Sequence, residues 1–117
     1  MVVEPIVLAT RSHAAGAAEV DLLVPHDLRY FDGHFPGAPV VPGVVQIKWA
    51  VAFGRKLLRA APGFAGMKAV KFLEVMQPGV AATLKLDYSE ARAELRFSFE
   101  SAAVRFSTGR LLLRRAP

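Results

Sequence analysis

A histidine held between glycine and proline is the first residue of this chain whose type and setting could do chemistry. His34 lies in the stretch "YFDGHFPGAPVVPGVVQIKWA", residues 30–50, directly before Phe35 and Pro36. Each proline fixes its own φ and restrains the residue before it, so this loop is predicted to follow one path. An imidazole titrates near neutral pH, so one that is held in place can act as a general base. The alternative is a structural histidine that is hydrogen-bonded to a backbone carbonyl.

The start of a predicted helix follows this loop. The helix is expected over residues 43–60, and Pro42 suits its first turn. The first backbone N–H groups of a helix lack internal acceptors, and the helix dipole is positive there. Because no side chain blocks approach at Gly43, a ligand carbonyl could be polarised by its N–H, as in an oxyanion hole. The alternative is that Pro42-Gly43 only marks the change from loop to helix.

One charge interrupts the apolar first half of this helix. Lys48 stands in the run "GVVQIKWAVAF", which is apolar almost all round and is typical of a buried helix. The second half of the helix is amphipathic and basic. Arg55 and Arg59 follow Lys48 by seven and eleven positions, so helical spacing places all three on one stripe. Lys48 is therefore either part of a solvated stripe or a functional cation in apolar surroundings.

Two strands, one buried helix and four strands are predicted to position these residues. The strands are expected over residues 2–10, 17–25, 67–76, 80–89, 91–100 and 103–113. "LKLDY" and "LRFSF" alternate between apolar and polar residues, which puts one face of a strand inside and one outside. This order predicts an α+β fold, in which an antiparallel sheet wraps around one helix. With 117 residues the chain suits a single domain over residues 1–117, and a buried helix in so short a chain needs a second subunit as cover.

Composition limits the classes of partner and compartment. The chain has no cysteine, which excludes disulfides and favours a cytoplasmic location. No apolar stretch reaches the roughly 18 residues of a membrane span, and the N-terminus lacks the basic region of a signal peptide. The net charge of +5 favours an acidic partner: nucleic acid, an acidic carrier protein or an anionic cofactor tail. Because RNA-binding aromatic motifs and zinc spacings are absent, neither nucleic acid nor a metal is expected.

Taken together, the loop and helix start resemble a family motif. "GHFPGAPVVPGV", residues 33–44, is similar to the pattern Gly-His-Phe-Pro-x-x-Pro-Val-x-Pro-Gly-Val of the hot-dog-fold β-hydroxyacyl-acyl-carrier-protein dehydratases of fatty-acid synthesis. "VKFLEVMQPG", residues 70–79, resembles the later strand and Pro-Gly turn of that family. "QIKWA" is similar to the dehydratase-like branch that serves aryl-polyene and related pigment pathways. The resemblance is close over residues 24–50 and looser towards the end of the chain.

The resemblance implies a dimer of hot-dog domains, each a long central helix wrapped by an antiparallel sheet, with two active sites at the subunit interface. His34 would remove the α-proton of a 3-hydroxyacyl thioester, with its other ring nitrogen held by the carbonyl of Val40. The Gly43 N–H would polarise the thioester carbonyl. No metal or redox cofactor is implied. The residues implied to bind the acyl chain are Phe35, Pro36, Val40, Val44 and Phe72.

The resemblance also implies the partners. The substrate would arrive on an acyl carrier protein or on coenzyme A, held by basic residues along the exit path. The candidates for this contact are Arg55, Lys56, Arg59 and Arg110. The assembly would be a homodimer or a higher oligomer, or a mixed dimer with an intact paralogue.

One position departs from the family pattern. The family places a Glu or Asp fourteen positions after the histidine, and this chain has Lys48 there. Elimination of water needs a base at the α-carbon and an acid at the departing hydroxyl, and the carboxyl group is that acid in the family. Three interpretations stay open: Lys48 is the acid, Lys48 holds an anionic ligand, or the chain is an impaired subunit that binds acyl thioesters or their carrier. A hot-dog thioesterase is a further alternative.

Overall fold

The predicted order of strands and helix is confirmed in the computed structural model, which describes residues 2–29 and 39–116. The helix is α1, Gly43–Leu58. The strands are β1 Ile6–His13, β2 Ala17–Leu23, β3 Gly63–Phe72, β4 Ala81–Ser89, β5 Glu94–Glu100 and β6 Arg105–Arg114. They form one six-stranded sheet in the order β1-β2-β4-β5-β6-β3, and every neighbouring pair is antiparallel. The α+β prediction is therefore confirmed.

The core lies between α1 and the inner face of the sheet. Side chains along β4 and β5 alternate between buried and exposed positions, because successive residues of a strand point to opposite faces. Leu84, Leu95 and Phe99 are fully buried on the inner face, and Trp49 and Ala50 of α1 are buried with them. A Cβ at Gly54 would stand 2.5 Å from a methyl group of Leu95. The glycine thus lets the helix approach β5 closely.

The predicted limits of β3 were wrong at both ends. The strand runs from Gly63 to Phe72 rather than over residues 67–76. The helix ends where Arg59 adopts φ 54°, and the chain enters the sheet within a few residues. Two irregularities interrupt the pairing of β3 with β6, and Ala69 at the second has φ 54°. Each extra residue in β3 shifts the alternation between inward-facing and outward-facing side chains by one position. Alternation along the sequence therefore did not reveal where this strand begins.

The helix is not covered on every side within one chain. Val45, Ile47 and Val51 are buried, as the apolar run predicts, but Val44 is 73% exposed and Lys48 is exposed. This open face lies beside β3, which is an edge strand of the sheet. In the described part of the chain, no helix has both the length and the apolar character to cross a membrane.

Candidate active site

The first backbone N–H group of α1 is that of Gly43. Pro42 is the N-cap residue, with φ −58° and ψ 148°, so it stands just before the helix rather than in its first turn. Its carbonyl accepts hydrogen bonds from the N–H groups of Val45 and Gln46 at 3.0 and 3.2 Å. Within residues 2–29 and 39–116, the Gly43 N–H has no acceptor, and no acidic side chain lies in the first turn. The positive end of the helix dipole is therefore available to a ligand oxygen.

A cavity of about 420 Å³ opens beside Gly43. Val40, Gly43 and Gln46 line one wall, and residues 72–75 line the other. The ring of Phe72 lies so close to Gly43 that a Cβ there would stand 2.5 Å from Cζ. The structure thus brings together three of the predicted site residues, Val40, Gly43 and Phe72. The contact also explains why residue 43 is a glycine, because any side chain at this position would displace the Phe72 ring.

A buried polar pair holds the helix start against the sheet. Ser107 of β6 is fully buried, and its Oγ donates a hydrogen bond to Gln46 Oε1 at 2.7 Å. Gln46 Nε2 in turn donates to the Val41 carbonyl at 3.2 Å. Buried polar groups need such partners, so the pair fixes the direction in which α1 begins. Neither residue was predicted from the sequence as part of the site, although a glutamine within an apolar helix half was a visible signal.

Backbone hydrogen bonds tie the two cavity walls to the rest of the fold. The Val41 N–H donates to the Met76 carbonyl at 2.7 Å, which links the segment before α1 to the segment after β3. The N–H groups of Leu73 and Glu74 both donate to the Phe106 carbonyl, at 2.8 and 3.3 Å. The walls are therefore fixed before any ligand arrives, which lowers the ordering cost of binding.

Lys48 and Val44 do not line this cavity in a single chain. Both line a second, larger groove of about 630 Å³ between α1 and β3, together with Phe64 and Met67. Positions 44 and 48 share a helix face because they are four residues apart. Gly43 and Gln46 project from another face. Val44 and Lys48 were predicted to share a site with Gly43, whereas the structure places them on a different side of the helix.

The predicted base, His34, and its neighbours Phe35 and Pro36 lie outside the described residues. Their roles stay predictions. The described end of the same loop, residues 39–42, leads directly into the Gly43 cavity.

The predicted carrier-binding residues divide into two groups. Arg55 donates to the Ala61 carbonyl at 3.4 Å and to the Pro62 carbonyl, and it thereby ties down the segment that follows the helix. Lys56 and Arg59 are exposed at the same end of α1. Arg110 forms the second group by itself. It lies on β6, far along the chain from α1, so its neighbours are residues of the sheet.

Arg110 belongs to a row of cations on the outer face of the sheet. It pairs directly with Arg96 of β5 on one side and with Lys68 of β3 on the other. Lys71 follows on β3, opposite Thr108. We call these four cations, Lys68, Lys71, Arg96 and Arg110, the basic row. Among the described residues, no carboxylate lies within 4.0 Å of any of the four side chains.

The opposite end of the outer face is neutralised by ion pairs. Arg11 donates two hydrogen bonds to Asp21, and together with Thr83 it lowers the pKa of that carboxyl to about 2. Lys85 contacts Glu100 at 2.8 Å and lowers the pKa of the glutamate. Arg11 and Lys85 thus have carboxylate partners within 4.0 Å, whereas the basic row has none among the described residues, although Asp87 of β4 stands opposite Arg96 in the register.

Comparison with known proteins places this architecture in a family. The family model described as ApeI dehydratase matches residues 10–110. The structure is similar to that of the dehydratase heterocomplex ApeI:P from Xenorhabdus doucetiae, with 32% identity and a TM-score of 0.89 over 96% of this chain and 99% of that one. It is also similar to an uncharacterised protein from Erwinia carotovora subsp. atroseptica, with 26% identity and a TM-score of 0.81 over 96% and 97% of the two chains. The hot-dog fold predicted from the sequence is confirmed.

Two similar curated proteins are 3-hydroxyacyl-acyl-carrier-protein dehydratases FabZ. The protein from Erythrobacter litoralis is 32% identical over 56% of this chain. The protein from Novosphingobium aromaticivorans is 28% identical over 80% of this chain. The matches span 50% and 61% of the lengths of these two relatives. Because the family model covers most of the sequence, this chain belongs to the ApeI-like dehydratase family.

Proposed function

We propose that the protein is a dehydratase that eliminates water from a 3-hydroxyacyl thioester to give a trans-2-enoyl thioester, in fatty-acid or polyene lipid biosynthesis. The observation that carries the proposal is the Gly43 N–H at the start of α1, which has no acceptor among the described residues and lies beside a cavity that Phe72 lines. A thioester carbonyl placed there would accept this hydrogen bond at the positive end of the helix. The names of the ApeI and FabZ relatives support the same reaction class.

The proposed reaction needs one base and one acid. His34 takes the proton from the α-carbon, and the Gly43 N–H stabilises the negative charge that then develops on the thioester oxygen. The bond between the β-carbon and its hydroxyl breaks, and an acid gives that hydroxyl a proton, so that water leaves. The products are the enoyl thioester and water, and the proton that His34 holds returns to solvent.

Lys48 does not supply this acid within one chain. Lys48 lies in the α1–β3 groove and not in the cavity of its own chain, so it would serve an active site only across a subunit interface. In a homodimer, the second copy would bring its Lys48 to the Gly43 cavity. In a mixed dimer, the paralogue would bring the residue that it carries at the equivalent position. We propose a mixed dimer with a paralogue that carries the missing carboxyl group. The solved ApeI:P relative is itself a heterocomplex.

The test is incubation of the chain with 3-hydroxyacyl-carrier substrates, followed by detection of the enoyl product. We expect slow dehydration by the chain alone, and we expect Lys48→Glu to retain or raise it, because the variant restores a carboxyl group. Arg92→Glu is the matched control, since it makes the same charge change in the turn between β4 and β5. A fast enzyme that loses all activity with Lys48→Glu would identify the lysine as the working acid. Free acid as the product would indicate a thioesterase.

A second candidate function follows from the same lysine. A chain with Lys48 in place of the carboxylate could bind an acyl thioester or its carrier without turning it over. The wild type and Lys48→Glu would then both be inactive on every acyl chain length, alone and with added paralogue, while carrier binding persists.

The cytoplasmic location inferred from the absence of cysteine stays a prediction.

The carrier is proposed to dock on the basic row. Like charges placed directly opposite one another across strands destabilise a sheet, and Arg110 stands between Arg96 and Lys68. The one acid in register with these three residues is Asp87, on the far side of Arg96 from Arg110. The extra residue in β3 turns Val70 towards Phe97 in the core and leaves Lys71 on the outer face. A shallow cavity of about 320 Å³ opens at the row. An acidic partner would offset this repulsion.

The docking site is tested by charge reversal. We expect Arg96→Glu/Arg110→Glu to slow association with the carrier, and the difference from the wild type to fade as salt rises, because exposed charges act mainly on the encounter rate. The matched control is Lys56→Glu/Arg59→Glu, which reverses the same number of charges at the end of α1. Stopped-flow association rates at low and high salt give the readout. A loss confined to the control variant would move the docking site to the helix end.

A further inference from the structure

Gln46 donates hydrogen bonds to two successive carbonyl groups at the start of α1. Its backbone N–H donates to the Pro42 carbonyl at 3.2 Å, and its side-chain Nε2 donates to the Val41 carbonyl at 3.2 Å. A carbonyl oxygen can only accept, so the second contact fixes which end of the amide is the nitrogen. The Pro42 carbonyl and the Gly43 N–H belong to one planar peptide group. Gln46 therefore restrains the peptide group that carries the proposed donor, and also the peptide group before it.

A serine of the sheet holds Gln46 in turn. Ser107 of β6 is fully buried, and its Oγ donates to Gln46 Oε1 at 2.7 Å. Gln46 is itself only 3% exposed. Because buried polar groups keep the partners they have, Ser107 fixes the rotation of the amide and thereby the direction in which Nε2 donates. The pair thus connects the sheet to the first turn of α1.

The same serine is linked to the opposite wall of the cavity. In the pairing of β3 with β6, Ser107 stands opposite Phe72. The ring of Phe72 lies against Gly43. The carbonyl of Phe106, directly before Ser107, accepts hydrogen bonds from the N–H groups of residues 73 and 74. One dipeptide of β6 therefore anchors both walls, and with them the gap between the Gly43 N–H and the wall that faces it.

We propose that Gln46 and Ser107 are positioning residues for the dehydration, and that they act through Gly43 rather than on the substrate. The inference rests on the proposed function, in which the Gly43 N–H binds the thioester oxygen. Such a donor stabilises an oxyanion only if it is already aimed at the oxygen when the charge develops. A misaligned donor weakens the transition state more than the bound substrate. Loss of the pair is therefore expected to lower kcat and kcat/KM together and to leave KM unchanged.

The kinetic test compares two single variants with the double variant. Gln46→Met keeps the length of the side chain and removes the amide, and it is expected to lower kcat about 10²-fold, the effect of a small misplacement of a catalytic group. Ser107→Ala is expected to lower kcat less, because the bond from Gln46 to Val41 remains. Gln77→Met is the matched control, since it makes the same change at an exposed position between β3 and β4, and it is expected to leave kcat unchanged.

The double variant separates positioning from stability. Gln46→Met leaves the buried Ser107 hydroxyl without its acceptor, and Gln46→Met/Ser107→Ala removes that hydroxyl as well. Replacing both partners of a buried hydrogen bond by apolar groups costs less stability than removing one of them. We therefore expect the double variant to regain melting temperature but not turnover. Turnover that recovers together with the melting temperature would show a structural role only and would overturn the inference.

A second readout needs no substrate. The chain has nine glycines, so selective ¹⁵N-glycine labelling gives a simple spectrum in which the Gly43 N–H is observed directly. In Gln46→Met its order parameter is expected to fall from about 0.85, the value of a rigid backbone, to about 0.6 or below. Gly54 in the same helix is the internal control and is expected to stay rigid.

Two outcomes of this measurement would overturn the inference. One is a Gly43 N–H that stays as rigid in Gln46→Met as in the wild type. The other is an equal loss of order at Gly54, which would show that the whole helix has loosened. A wild type without turnover whose Gly43 N–H still loses order in Gln46→Met would contradict the proposed reaction and would support the positioning of Gly43 by Gln46.

Discussion

Gly43→Pro is expected to lower the turnover of a 3-hydroxyacyl thioester by about 10²–10³-fold, the usual effect of losing one oxyanion-hole donor. The substitution removes the N–H that is proposed to bind the thioester oxygen. Proline is tolerated in the first turn of a helix, and Pro42 already has the ψ of 148° that a residue before proline prefers. The fold should therefore survive, and the melting temperature measures whether it does. The formation rate of the enoyl product gives kcat and kcat/KM.

Gly43→Ala is the matched control for this prediction. Both substitutions add a Cβ that would lie about 2.5 Å from the Phe72 ring, so both must displace that ring. Only proline removes the N–H. We therefore expect alanine to retain most of the activity that proline abolishes. Equal losses in the two variants would assign the effect to the displaced Phe72 ring and would contradict the role of Gly43 as a donor.

His34→Ala is expected to lower turnover by about 10²–10⁴-fold, the range for a residue that transfers a proton. Binding of the acyl carrier should stay at the wild-type level, because the proposed docking residues are elsewhere. The measurements are turnover and carrier affinity on the same preparation. His13→Ala is the control, since His13 pairs with Glu19 on the outer face of the sheet.

Added imidazole distinguishes a base from a structural histidine. A small base that enters the space left by His34→Ala is expected to restore part of the lost turnover. If the substitution had instead changed the conformation of the loop, imidazole would not restore turnover. Retained turnover in His34→Ala would show that another group removes the proton. A loss of carrier affinity in the same variant would point to a role in binding rather than in chemistry.

The sequence alone predicted the elements whose patterns are local. The apolar run in the first half of residues 43–60 and the amphipathic pattern of the second half marked α1, and alternation marked β4 and β5. Each pattern repeats with the period of its own backbone. The same reasoning failed for β3, which pairs with β6 through two irregularities that change which residues face inward. The start of the helix at Gly43 was also predictable, because proline is common at the start of a helix and Pro42 directly precedes Gly43.

Only the tertiary structure decided which distant residues meet. Ser107 bonds to Gln46 across 61 positions of sequence, and the ring of Phe72 packs on Gly43. Arg96, Arg110 and Lys68 form one row because three strands align in register. Lys48, singled out in the sequence as a substitute for a catalytic carboxylate, proved to lie in a different groove from Gly43. The physical reason is common to all of these contacts: residue types and spacing set the periodicity of each element, whereas strand register and the direction of each helix face depend on packing between elements that are far apart in the chain.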